Sequence, residues 1–128
     1  MLDTNIIIFA SEGKFNLTTE IERLIPQKHD IVFLSTCLNE FDYLIDKQPK
    51  MKKHKKFAMK LLETTKLIDF DPVEIKTTDE KIIHFAKLHV PNCIIVTNDN
   101  HLKKLLREEN IPVIFVKTTN HLELLGNI

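Results

Sequence analysis

Glycine is scarce in this chain, with only Gly13 and Gly126 among 128 residues. Phosphate-cradling loops of the GxxxxGK[ST] or GxGxxG type need several closely spaced glycines, so the usual nucleotide-dependent enzymes are excluded. Cysteine is equally rare. Cys37 and Cys93 both lie in apolar segments, which favours reduced, buried thiols over a disulfide framework or a Cys-rich metal site.

Long apolar runs and an excess of one charge sign are also absent. The longest apolar stretches, such as residues 6–10 and 93–96, are far shorter than the roughly 20 residues that a membrane span needs. No signal peptide is recognisable, so we expect a cytoplasmic protein without a membrane partner. The net charge is zero, and with 43% apolar and 28% charged residues the composition predicts one globular domain over residues 1–128.

Short apolar runs alternate with longer segments of helical period, a pattern typical of a parallel sheet with helices on its faces. Strands are predicted at residues 1–3, 31–34, 67–70, 93–97 and 113–116. The first is so short that either it continues through Asn5 and Ile6 or a few residues are missing before Met1. Helices are predicted at residues 19–26, 36–47, 53–65, 78–89 and 100–109, two of them opening on Ser/Thr-x-x-Glu capping boxes.

Four carboxylates follow the predicted strands. Asp3 ends the first strand, Glu40 lies in the first turns of the helix after the second, Asp79 begins the helix after the third, and Asp99 follows the fourth. Because parallel strands end at one edge of a sheet, we expect the four to converge there. Two carboxylates about 5 Å apart repel by roughly 3 kcal/mol at an effective dielectric near 20, so the cluster requires a counter-charge.

Oxygen ligands of this kind select hard cations such as Mg²⁺ or Mn²⁺, which serve phosphodiester hydrolysis by activating a water. Each acid also has a local explanation, because Asp79 and Asp99 stand where acids favour a helix N-terminus and Asp3 precedes a turn-like Thr-Asn pair. If these local explanations were the whole reason for the acids, four of them would have to fall at the same edge of the sheet by coincidence. Glu80 belongs to the capping box of Thr77 and is kept outside the site.

At these residues the sequence resembles a PIN domain, a nuclease family with a five-stranded parallel sheet. Residues 2–5 (LDTN) resemble the family's opening hydrophobic-Asp-Thr-Asn, and residues 35–41 (STCLNEF) its Ser-rich approach to the helical Glu. Residues 79–82 (DEKI) resemble its Asp-x-x-Ile, and residues 95–99 (IVTND) its strand ending in Thr-Asn-Asp. The resemblance covers the whole chain and implies an α/β class, with a three-layer α/β/α arrangement around a central five-stranded parallel sheet.

The resemblance also implies a metal-dependent endoribonuclease that binds Mg²⁺ or Mn²⁺. Residue-for-residue transfer assigns the catalytic and metal-binding roles to Asp3, Glu40, Asp79 and Asp99, with Asn5 and Thr97 as polar support around them. Many members carry a further acid two residues after the last one. Here that position is His101, which is neutral or positive near pH 7, so the number of metals stays open.

Two branches of the family suit a chain of this size: the toxins of toxin–antitoxin pairs, and an archaeal branch similar to the eukaryotic ribosomal-RNA-processing nucleases. The tail, with VIFV at residues 113–116 and HLEL at 121–124, resembles the archaeal branch. A PIN domain that binds RNA in ribosome assembly without cutting it is a third alternative. The expected partners are therefore RNA, an antitoxin or a ribosome-assembly factor, and a second copy of the chain in a homodimer.

Lysines dominate the segment between residues 47 and 60, which contains no acid. Such a stretch either contacts an RNA backbone or forms a solvated helix face, and it lacks the series of aromatics that would stack on bases. No histidine pair has the i,i+4 spacing of a helical zinc site, and Ser35 and Cys37 have no recognisable His-acid partner for nucleophilic catalysis. The candidate RNA-binding residues are Lys52, Lys53, Lys55 and Lys56.

Overall fold

The computed structural model describes residues 1–13, 15–118 and 120–127, and its strands are short. Strand β1 (Val32–Leu34) pairs in parallel with β2 (Lys66–Ile68). Strand β3 (Ile95–Thr97) pairs in parallel with β4 (Val113–Thr118), which pairs antiparallel with β5 (His121–Leu125). The α/β class is confirmed.

Leu2 joins the two-stranded and the three-stranded sheet. It forms parallel bridges to Phe33 of β1 on one side and to Val96 of β3 on the other. Its amide donates to the Val32 carbonyl at 2.9 Å, and the next amide, that of Asp3, donates to the Val96 carbonyl at 3.0 Å. The order across the joined sheets is therefore β2, β1, Leu2, β3, β4, β5, with Asp3 leaving the centre.

The expected five-stranded parallel sheet is not confirmed. The first predicted strand is reduced to the bridge at Leu2, and the unpredicted β5 runs antiparallel. Residues 119–120 alone separate β4 from β5, and a connection of two residues closes an antiparallel hairpin, whereas a parallel pair needs a crossover of a dozen or more. The four remaining parallel strands agree with the alternating pattern of the sequence.

Helix α1 (Thr4–Ser11) was not predicted, and the alternative of a strand running through Asn5 and Ile6 is wrong. The run of β-branched residues favours a strand by propensity, but tertiary burial overrides that weak preference. Ile6 and Ile7 are completely buried on this helix, and the Asp3 side chain caps its first turn by accepting from the Thr4 amide. The first acid of the site is thus held by a helix start.

The remaining helices lie close to their predicted positions. Helix α2 begins two residues early, because Asn16 rather than Thr19 is its N-cap and accepts a hydrogen bond from the Thr19 amide. Thr77 caps α5 as expected, accepting from the Glu80 amide at 3.1 Å. A 3₁₀ turn (Pro49–Met51) separates α3 from α4. The bounds are α2 (Leu17–Leu24), α3 (Ser35–Lys47), α4 (Lys52–Leu62), α5 (Thr78–His89) and α6 (Asn100–Glu108).

One hydrophobic cluster draws buried side chains from both ends of the described chain, from Met1 to Leu122. Cys37 belongs to it with no exposed surface, and burial raises the pKa of its thiol to about 12, as expected for an inert core cysteine. Cys93 is also buried and free. None of the helices described is both long and apolar enough to span a lipid bilayer.

Candidate functional site

Asp3 is the most buried of the four predicted acids, with 3% of its surface exposed. One carboxylate oxygen, Oδ1, accepts from the Thr4 amide at 2.8 Å as the N-cap of α1. The other, Oδ2, accepts from the Thr97 hydroxyl at 2.8 Å, across 94 residues of sequence. Thr97 is itself completely buried, so the end of β3 fixes the orientation of the first acid.

The electrostatics of Asp3 are unfavourable. The pKa of its carboxyl is raised from 3.8 to about 6, chiefly by burial and to a smaller extent by the charges of Glu40 and Asp79, against the opposing hydrogen bonds from Thr97 and Thr4. The neutral form of the Asp3 carboxyl is therefore favoured at this position unless a positive charge lies beside it. The influence of Glu40 and Asp79 places three of the predicted acids within electrostatic range of one another.

Asp79 connects the fourth acid to the other three. It is half-buried in the first turn of α5, and burial raises the pKa of its carboxyl. The charges of Asp99 and Glu40 act in the same direction, whereas His101 lowers the pKa. The strand ends and helix starts thus bring the four acids close enough for their charges to act on one another, and His101 is close enough to act on Asp79.

Thr97 also connects Asp99 to Asp3. Its hydroxyl oxygen accepts from the Asp99 amide at 3.0 Å while its proton goes to Asp3. Asp99 caps α6, its Oδ1 accepting from the His101 amide at 2.9 Å and the Leu102 amide at 3.2 Å. The local capping explanation for Asp3 and Asp99 is therefore correct, and it is compatible with the second carboxylate oxygen of Asp99 facing a ligand, since capping uses only Oδ1.

The donor set can be tested against a divalent cation. Within residues 1–13, 15–118 and 120–127, no three His, Cys, Asp or Glu side chains are placed so that together they could hold a metal ion. Mg²⁺ keeps several waters and requires only one or two direct carboxylates, so acids that lie in electrostatic range without touching fit a hydrated ion. Burial is the main cause of the raised pKa of Asp3 and of Asp79, and the repulsion among the acids adds to it; a bound cation would relieve that repulsion.

The whole-chain resemblance is supported by comparison with known proteins. Residues 1–119 match the model of a family described as the PIN-like domain. The chain belongs to the PIN-domain ribonuclease family.

Two curated relatives of this PIN-like domain are archaeal. It is 35% identical to "Ribonuclease VapC4" of Methanocaldococcus jannaschii over 98% of this chain and 95% of that protein. It is 26% identical to "Ribonuclease VapC9" of Archaeoglobus fulgidus over 91% of this chain and 82% of the relative. The fold is similar to that in the "Structure of the PIN domain endonuclease Utp24", with a TM-score of 0.74, 19% identity, and coverage of 99% of this chain and 90% of that one.

The remaining predicted residues of the PIN-like domain are less firmly tied to the acids. Asn5 is exposed on the first turn of α1, and its supporting role stays a prediction. The four candidate RNA-binding lysines are all exposed on α4, which packs against α1 through the buried His54, whose Nδ1 contacts the Ser11 hydroxyl. They are Lys52, Lys53, Lys55 and Lys56.

A polar cluster beside the acids was missed at the sequence level. Asp71, just beyond β2, accepts hydrogen bonds from Asn39 of α3 and Lys81 of α5. Its position after a parallel strand is the same signal that identified the other acids. The partners were not predictable, because their meeting depends on how the segment after β2 crosses the start of α3.

Proposed function

We propose that this PIN-like domain is a metal-dependent endoribonuclease whose Asp3, Glu40, Asp79 and Asp99 hold Mg²⁺ or Mn²⁺. The observation that carries the proposal is that the Thr97 hydroxyl at the end of β3 donates to the Asp3 carboxylate and accepts from the Asp99 amide, which supports two of the four acids lying at one edge. Burial is the main cause of the raised pKa of Asp3, with smaller contributions from the charges of Glu40 and Asp79, and a divalent cation would stabilise the charged carboxylates. The ribonuclease names of the archaeal relatives support RNA as the substrate.

A bound divalent ion would supply Lewis-acid chemistry, activating water and neutralising charge on the scissile phosphate. The protein's own part is positional. Thr97 donates to Asp3 and so aims its carboxylate, while the α6 amides hold Oδ1 of Asp99. Asp79 and Glu40 add negative charge from α5 and α3, and the imidazole of His101, whose charge acts on Asp79, would contact a phosphate oxygen of the substrate.

Substitution of single acids tests the site. Asp3→Asn and Asp99→Asn keep an oxygen that caps the following helix but remove a charge, so folding is retained and RNA cleavage with Mg²⁺ or Mn²⁺ should fall by about 100-fold or more. Asp30→Asn is the matched control, because Asp30 is exposed and, among the residues that the structure describes, its ion-pair partner is Lys66 at 3.0 Å. Cleavage by either site variant at the wild-type rate would show that the chemistry lies elsewhere.

The biological setting we propose is that of a toxin ribonuclease paired with an antitoxin. The specific observation in favour is the 35% identity to a protein named as a VapC ribonuclease along nearly the full length of both chains. Growth arrest on expression of the wild type, relieved by Asp99→Asn and by co-expression of an adjacent small gene, is the expected result. Normal growth of cells that contain the active nuclease would instead favour a role in ribosomal-RNA processing, the role of the nucleases that the archaeal branch with a similar tail resembles.

Two further features of the proposal concern partners. The exposed lysines of α4 give the RNA backbone a basic surface beside α1, the helix that begins at Asp3. A homodimer is proposed from the family resemblance alone, and light scattering measures it directly. A PIN domain that binds RNA without cutting it, the remaining alternative, is removed if purified protein cleaves RNA and a chelator abolishes the cleavage.

A further inference from the structure

A three-residue polar cluster bridges the two helices that carry Glu40 and Asp79. The carboxylate of Asp71 accepts from Asn39 Nδ2 at 2.9 Å through Oδ2 and from Lys81 Nζ at 2.5 Å through Oδ1. Asn39 precedes Glu40 on α3, and Lys81 follows Asp79 by two residues on α5. One side chain from a connecting segment therefore ties together the two helix starts from which these acids project.

The segment that carries Asp71 is itself fixed to the start of α3. The Phe70 amide donates to the Ser35 hydroxyl at 2.8 Å, and the Phe70 carbonyl accepts from the Thr36 amide at 3.3 Å. Asp71 is thus held by backbone hydrogen bonds on one side and side-chain donors on the other. Because Asp71 also accepts from Lys81, the start of α5 is held at a fixed position relative to the start of α3.

The Lys81 ammonium group serves Asp71 rather than the acidic site. Its side chain is only 15% exposed, which is unusual for lysine, and ordering such a long side chain costs conformational entropy. The hydrogen bonds from Lys81 and Asn39 hold the pKa of Asp71 below its usual range, so its charge persists. The charges that shift the pKa of Asp79 are those of Asp99, Glu40 and His101. The effect of Lys81 on Asp79 is therefore on its position and not on its charge.

We propose that Asn39, Asp71 and Lys81 form a clamp that fixes the spacing of Glu40 and Asp79 and thereby raises the affinity of the site for a divalent ion. The inference rests on the proposed function, since it assumes that these two acids face the metal. Its residues are positioning residues and touch neither metal nor RNA. Without the clamp, α3 and α5 carry two like charges that repel, and the acids move apart.

Mn²⁺ binding by the purified full-length chain tests the clamp independently of catalysis. Free Mn²⁺ is measured by electron paramagnetic resonance at neutral pH for the wild type and for Lys81→Met, which keeps the aliphatic chain but loses the ammonium group. We expect a roughly tenfold loss of affinity, in the range found when groups supporting metal ligands are removed. Lys81→Arg, which can still donate to Asp71, should restore most of the affinity.

Lys66→Met is the matched control. It breaks an ion pair with Asp30 in which both side chains are about two-thirds exposed, at 68% and 64%, and it should leave Mn²⁺ affinity unchanged. Should Lys81→Met fail to fold, as judged by circular dichroism, Asn39→Ala decides, because Asn39 is exposed and supplies the other donor to Asp71. A smaller loss of affinity is expected for it.

The outcomes separate the clamp from the proposed function. Mn²⁺ affinity that is unchanged in a folded Lys81→Met or Asn39→Ala protein overturns the clamp, even if thermal stability falls, because a merely structural role moves stability alone. A wild type that binds no Mn²⁺ overturns the metal site and the clamp together. Weaker binding that Lys81→Arg reverses supports both.

Discussion

The raised pKa of Asp3 makes the contribution of this carboxyl to the stability of the metal-free protein less favourable at neutral pH than in mild acid. The carboxyl titrates near 6 in the folded state and near 3.8 in the unfolded chain, a shift of about two pKa units. The folded state therefore binds more protons than the unfolded state between these values, and the unfolding free energy falls as pH rises through this window. At about 1.4 kcal/mol per unit, the loss is complete above pH 6 and amounts to about 3 kcal/mol.

Urea unfolding in the presence of a chelator measures this loss. The wild type is compared with Asp3→Asn at pH 4.5 and pH 7.5, and the variant should gain stability on the wild type as pH rises. The asparagine keeps an acceptor for the Thr4 amide, so the helix cap is retained. Burial also lowers the pKa of the His54 imidazole, which makes stability depend on pH. This contribution should be the same in the two proteins, so it cancels when their unfolding free energies are compared.

Addition of Mn²⁺ should reverse the sign of the difference. At pH 7.5 the ion stabilises only the wild type appreciably, since binding to the folded state adds to the unfolding free energy. If wild type and Asp3→Asn show the same dependence on pH in chelator, the Asp3 carboxyl is not strained by burial and by its acidic neighbours, and the reasoning is refuted.

Three further changes have defined outcomes. Thr97→Val removes the donor to Asp3 and should lower the urea-unfolding free energy by about 1–3 kcal/mol, more at pH 7.5 than at pH 5, because the hydroxyl favours the charged carboxylate; an equal loss at both values would assign it a packing role. Gly126→Ala should destabilise by about 1–3 kcal/mol, because φ is +105° and the new Cβ would lie 2.5 Å from Arg107 Nη1. Gly13→Ala, with φ +78° and open space, should cost less, and equal costs would contradict the crowding argument. Replacing the exposed α4 lysines with glutamine in an inactive variant should reduce the salt dependence of RNA binding, by up to about 3 in the slope of log Kd against log salt; an unchanged slope would exclude contact through Lys52, Lys53, Lys55 and Lys56.

The convergence of the acids was predictable because it depends on topology. Alternating strands and helices indicate parallel pairing, and parallel strands end at one edge, so Asp3 and Asp99 had to meet there whatever the side-chain packing. Thr97 could be placed beside them from the motif, although its simultaneous bonds to Asp3 and Asp99 could not. Those bonds depend on Leu2 lying between β1 and β3, a strand order that local periodicity does not contain.

The errors have equally physical causes. Helix α1 was missed because Ile6, Ile7 and Ile8 favour a strand by propensity, while the structure buries the first two completely against other elements. Strand β5 was missed because a five-residue segment carries too little pattern to separate strand from coil. Asp71 carried a usable signal, its place after a parallel strand, but its meeting with Lys81 requires three-dimensional information.

The bridge at Leu2 gives the sheet a seam one residue wide. Glu40 follows a strand on one side of it, Asp99 follows a strand on the other, and Asp3 is the next residue along the chain. Glu40 and Asp99 therefore lie on opposite sides of the junction at Leu2, and repulsion between the acids acts across it. An ion held among these acids, as proposed, would also hold the two sheets together across this one-residue junction, so binding of the ion and integrity of the sheet would be linked.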